Sequence, residues 1–148
     1  MTHRHPAGLE VDVAATLSAA SAFYETLPAR TEAEAAFLRG CHARLVVSDV
    51  PPLGIAAAAA VGVPAIGISN FTWDWIYEGY PEVSTMAPHL PGRLGSTYAS
   101  AAEGWRLPMS AGFDTFPVTR DLPLVARVER HGRVAVRSRL GLPAERPL

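Results

Sequence analysis

The chain has 148 residues, of which 49% are hydrophobic and 18% charged, a balance that suits one domain with a real core and argues against intrinsic disorder. Formal net charge is −1, so the basic excess expected of a nucleic-acid binder is missing. Cys41 is the sole cysteine and lysine is absent, which excludes an intrachain disulfide, a cysteine zinc cluster, a Schiff base and a P-loop lysine.

Residues 1–8 show no usable period and read as an irregular N-terminus without the apolar segment of a signal peptide. The uncharged stretch Val50–Ser69 is interrupted by prolines and glycines, which argues against a membrane span, and the chain reads as cytoplasmic. Val13, Leu17, Ala20, Tyr24 and Leu27 fall at helical spacing, and Pro28 is expected to end that helix. Thr31 with Glu34 forms a capping-box pattern that predicts a second helix to about Gly40, with Ala33, Phe37 and Cys41 on its inner face.

Leu45–Ser48 reads as a buried strand, and Pro51 and Pro52 suit the first turn of a following helix. Ile55–Val61 continues that helix up to Gly62, where a left-handed cap is expected. Pro64–Ile68 is a second buried strand. Strand, helix and strand together predict a βαβ unit with parallel neighbours and a right-handed crossover.

Ser69–Thr72 reads as a turn into a third short helix from Trp73 to about Gly79. Pro81, Pro88, Pro91 and Gly92 break the next stretch. Helical spacing returns at Leu94, Tyr98, Ala101 and Trp105. Residues 106–120 read as a loop, and Leu122–Ala126 as a short strand. Arg133–Leu140 fits either alternation or a helix, with Gly141 favouring a helix stop. The fold class is α/β, a small, mostly parallel sheet flanked by helices.

No dinucleotide fingerprint, Walker A sequence or G-x-S-x-G elbow is present. The histidines show no metal-ligand spacing, and no metal or cofactor is expected. Asp49 falls at the carboxyl end of a parallel strand, the edge where open α/β sheets bind ligands. There it would accept hydrogen bonds from a sugar hydroxyl or act as a base, or else fix the turn. Asn70 and Asp74 follow the second strand at the same edge, as ligand contacts or as helix caps. Trp73 and Tyr77 lie four apart on one helix face and would stack on a sugar ring or pack in the core.

The runs Ser48-Asp-Val-Pro-Pro-Leu53 and Gly62-Val-Pro-Ala-Ile-Gly-Ile-Ser-Asn-Phe-Thr-Trp-Asp-Trp-Ile-Tyr77 resemble the glycosyltransferase-like domain of bacterial glycosyltransferases of GT-B architecture. The same domain precedes the kinase domain of plant L-arabinokinases. Leu9–Leu17 and Asp121–Arg127 also look like that family. The resemblance implies a Rossmann-like, three-layer domain over 9–142, the acceptor-side N-terminal half of a GT-B fold.

Asp49, Asn70, Trp73 and Asp74 would then bind a sugar or glycosyl acceptor. A nucleotide-sugar donor would be held only by a second domain, and no obligatory metal is implied. The family's first strand would precede Leu9 and its second domain would follow residues 143–148, a linker stub. A fragment inactive on its own is therefore expected, with self-association through the unpaired sheet edge. Two further readings are a non-catalytic sugar-sensing or regulatory module associated with a sugar kinase, and a remnant without ligand.

Overall fold

Two short apolar runs, separated by a helix that opens on proline, pair in parallel and organise the chain. A computed structural model describes residues 11–126 and 131–143. In chain order it holds α1 (Val13–Glu25), α2 (Leu27–Gly40), β1 (Val46–Ser48), α3 (Pro52–Ala60), β2 (Ala65–Ser69), α4 (Trp73–Glu78), α5 (Val83–Met86), α6 (Leu90–Tyr98), β3 (Glu103–Arg106), β4 (Thr119–Asp121) and α7 (Arg133–Arg139). The four strands form one sheet in the order β1-β2-β3-β4, and every pairing is parallel. This is an α/β fold of the Rossmann-like, three-layer class. The N-terminal segment 1–8 and the expected linker lie outside the described residues, apart from Pro143. Among the described residues no helix is long and apolar enough to cross a membrane.

The strand–helix–strand unit forms with parallel neighbours, as its sequence predicts, but its first strand is not the buried one expected: it sits at the sheet edge with Leu45 and Val47 half exposed or more. Val46 pairs with Ala65 and Ser48 with Gly67, so Asp49 and Asn70 leave the sheet at the same, carboxyl end. Pro52 starts α3, and Gly62 follows it with φ +68°, the left-handed cap that only glycine adopts without strain. The alanines of α3 leave little bulk between helix and sheet. A Cβ on Gly54 would already stand 3.4 Å from Ser48 Oγ.

Alternation along the strands puts Ala65, Gly67 and Gly104 on the face that meets α3, α6 and the 107–118 loop. That loop joins β3 to the parallel β4 without a helix. It fills the space of one with Phe113 and Phe116, which stack on each other and, through Phe116, on Tyr98 at 5.2 Å. Gly67 and Gly104 lie directly beneath Phe116. Leu17, Ile55, Leu94, Tyr98 and Phe113 are the large residues of this core.

The opposite sheet face carries Ile66, Ile68 and Trp105, all partly exposed, and Val47, which is 56% exposed. A bidentate pair of Glu103 with Arg120, at 2.6 and 2.8 Å, ties β3 to β4 on that face. Arg120, with help from the Trp105 N–H, holds the Glu103 carboxyl down to about 2.

Several expectations need correction. Pro28 does not end the first helix; α1 stops at Glu25 and Pro28 sits in the first turn of α2. Proline has no N–H to lose there, so it serves as a start signal. Thr31 and Glu34 therefore lie inside a helix already begun and form no capping box. Ala33, Phe37 and Cys41 are exposed, and α2 instead turns Leu27, Ala35 and Leu38 inward. Trp105 does not continue a helix. α6 ends at Tyr98, and Trp105 belongs to β3. The last strand is Thr119–Asp121 rather than Leu122–Ala126, and Arg133–Arg139 is helical.

Gly104→Ala is expected to destabilise the fold by about 1–3 kcal/mol, because its Cβ would fall 2.6 Å from the Phe116 ring. Gly92→Ala, in α6 with open space around it, is expected to gain about 0.5–1 kcal/mol. Urea melts of the two variants check both signs.

Candidate functional site

A cavity of about 650 Å³ opens where β1 and β2 end. Pro51, Pro52 and Leu53, which open α3 after β1, form one wall, and Trp73 and Tyr77 of α4 form another. Phe23, Tyr24 and Leu27 close it from the α1–α2 side. The walls are mostly apolar and aromatic. Tyr77 lies stacked beside Trp73 with ring centres 5.8 Å apart, and Tyr24 meets Tyr77 edge-on at 6.4 Å. Ring faces of this kind match the C–H face of a sugar or another flat, apolar body.

Burial raises the Tyr24 hydroxyl well above its ordinary value, and the adjacent Tyr77 adds to the effect. Burial likewise raises Tyr77. Both phenols therefore stay neutral and offer a donor and an acceptor each. Arg30 is the one formally charged residue in the lining.

The loops that carry the site are held by one hydroxyl. Tyr98 Oη donates to the Val50 carbonyl at 3.0 Å and accepts from the Trp73 N–H at 3.4 Å. Tyr98 is fully buried, and burial keeps its proton in place. Val50 has φ +62°, a conformation that a β-branched residue rarely adopts. The turn after β1 is thus strained, and the Tyr98 bond to Val50 helps to hold it.

The four residues singled out in the sequence separate in space. Trp73 lines the cavity. Asp49 is exposed and borders a neighbouring groove of about 380 Å³ between α2 and β1. Asn70 is exposed at the end of β2, where its carbonyl accepts from the Ala111 N–H at 3.0 Å. Asp74 is buried; its carboxylate accepts from its neighbour's Trp75 N–H at 2.9 Å and from Thr115 Oγ1 at 3.0 Å. It ties α4 to the 107–118 loop.

Sequence reasoning missed Arg30, Phe23 and Tyr24. They lie on helices read only for packing. The signal that would have found them is an aromatic pair just ahead of a proline-started helix bearing an arginine in its first turns. Among the described residues no group of three or more His, Cys, Asp or Glu side chains is placed to hold a metal ion. Among the described residues the cavity wall combines aromatic rings, prolines and one arginine.

The chain is similar to L-arabinokinase of Arabidopsis thaliana, with 33% identity over 114 residues. That alignment covers 75% of this chain and 11% of the relative, so the chain spans about a tenth of the length of the curated protein it matches. By its name that relative is a sugar kinase. No protein-family model matches the chain, and no solved structure matches it.

Tyr98→Phe keeps the ring on Phe116 but leaves the buried Val50 carbonyl without its side-chain donor. A loss of about 1–3 kcal/mol is expected in chemical denaturation, together with increased exchange of the Trp73 amide by NMR.

Proposed function

We propose that the chain is a cytoplasmic sugar-binding module of glycosyltransferase-like build, of the kind carried by a sugar kinase. Its ligand lies in the cavity at the carboxyl ends of β1 and β2. The observation that carries this reading is the position of that cavity: it opens at the rim where parallel α/β sheets bind ligands, and Trp73 and Tyr77 present their rings to it. The similarity to an arabinokinase supports a pentose as the first ligand to try.

In this reading Trp73 stacks on the sugar, and Asp49 and Asn70 take hydroxyls that project over the rim. Asp74 acts at one remove, by fixing α4 through Thr115. The module needs no cofactor or metal for this task, and its role in a larger protein is sensing or positioning.

A second reading makes it the acceptor-side domain of a GT-B glycosyltransferase. The exposed carboxylate of Asp49 at the end of β1 favours it. The reaction would pass a sugar from a nucleotide-sugar donor, held by a second domain, to an acceptor hydroxyl.

Thermal shift separates the readings. In the first, L-arabinose or a related pentose raises the melting temperature, because a ligand that binds only the native state stabilises it. Trp73→Ala abolishes the rise. In the second, Asp49→Ala abolishes turnover in the presence of a donor domain and leaves sugar binding intact. If no sugar moves the melting temperature, the sugar-binding reading is wrong.

We also propose that the chain self-associates through β1. Among the described residues this strand has no partner on its outer side. The segment Leu45–Ser48 carries no charge, and Leu45, Val47 and Phe37 are all half exposed or more around it. An uncharged, unpaired edge is a template for a second copy. Val47→Lys is expected to shift sedimentation toward monomer; a wild-type chain that sediments as a monomer at high concentration would count against the edge.

A further inference from the structure

The cavity that the proposed function assigns to a sugar contains a charge which that reading leaves unused. Arg30 lines it. Its guanidinium carbon stands 4.2 Å over the ring centre of Phe23. Its Nη1 is buried and has no hydrogen-bond partner among the described residues. The ion pairs among those residues are Arg106 with Asp121 and Arg120 with Glu103, so no carboxylate among the described residues pairs with Arg30.

A guanidinium cannot shed its proton to escape burial, as a lysine or histidine would. The surrounding walls are aromatic rings and prolines, which supply no anion. Phe23 accepts the face of the group, and Arg30 as a whole is only partly buried, so it is not sealed off from the cavity it lines. The Tyr24 and Tyr77 hydroxyls in the same lining stay neutral. An uncompensated planar cation at the edge of an apolar cavity is the complement of a carboxylate or a phosphate, which it can grip through two parallel N–H bonds. A sugar without charge would meet it with hydroxyl oxygens but leave the positive charge unpaired.

We propose that the ligand of this cavity carries one anionic group, a carboxylate or a phosphate, that Arg30 holds while the ring-shaped body of the ligand lies against Trp73 and Tyr77. The sugar identity of the body rests on the function proposed above; the anionic group rests on Arg30 alone. A uronic acid and a sugar phosphate share this chemistry.

Calorimetric titration of the purified chain tests it with galacturonate, an aldopyranose 1-phosphate, the two matched neutral sugars, and benzoate as an anion on a flat body that is not a sugar. At least one anionic sugar is expected to bind about tenfold or more tighter than its neutral match. That preference should weaken as salt rises from about 0.05 to about 0.5 M. Arg30→Gln should erase the preference, so that anionic and neutral sugars bind the variant alike.

Arg30→Lys, which keeps the charge but loses the fork, should retain only part of the preference. It also serves if the glutamine variant does not fold. Which of galacturonate and the 1-phosphate binds tighter decides between the two sources of the anion. Equal binding of neutral and anionic sugars, or an unchanged preference in Arg30→Gln, overturns the role of Arg30 while sugar binding stands. Arg30-dependent binding of benzoate without any sugar upholds the anion site and overturns the sugar reading. Binding of none of the probes overturns both.

Discussion

One buried hydroxyl holds the functional end of this molecule together. Tyr98 comes from α6, yet its oxygen reaches the turn after β1 and the first amide of α4. Those two places are far apart in sequence. They are two of the places from which the cavity is walled. A phenol suits this task because its ring fills core volume while its tip serves as donor and acceptor at once. Without it the Val50 turn, already at positive φ, would lack its side-chain anchor and the aromatic wall of α4 would lose its reference to β1.

The rest of the architecture can be followed outward from that point. Tyr98 lies flat on Phe116, and Phe116 lies on Gly67 and Gly104 of the sheet. Glycine at both positions lets a ring approach where a side chain would exclude it. A plain loop thereby does the covering that a crossover helix performs in most parallel sheets. The same loop supplies Thr115, whose hydroxyl holds Asp74 and so sets the tilt of α4. Packing beneath the sheet face and the geometry of the cavity above its end are thus one connected system.

The cavity itself joins elements of different origin. The βαβ unit contributes the prolines and the Trp73–Tyr77 stack, and the α1–α2 corner contributes Phe23, Tyr24 and Arg30. Neither half lines the whole cavity alone. The rim polar groups, Asp49 and Asn70, stand exposed outside the aromatic walls. The chemistry of the cavity wall is ring faces and prolines with one cation among them.

Period and punctuation in the sequence were enough for the βαβ unit, the glycine cap at Gly62, α1 and the start of α4. Each of these is governed by interactions within a few residues: a proline with no N–H to satisfy, a glycine free to turn left-handed, and apolar residues that recur along one face. The shared rim of Asp49 and Asn70 followed from the same local signals, because parallel neighbours must end on the same side. Tertiary packing decided the rest. β3 and β4 are Glu-Gly-Trp-Arg and Thr-Arg-Asp, which carry no apolar run; β3 becomes a strand only because β2 offers it a hydrogen-bonding edge, and β4 because β3 does. The inner face of α2 was chosen by its fit against the alanines of α3, so Phe37 turned outward despite its hydrophobicity. Asp74 went into the protein because Thr115 meets it there, and Arg30 became a cavity wall because α1 and α2 fold over the end of the sheet. Such contacts join residues remote along the chain, and no local pattern encodes which of them will meet.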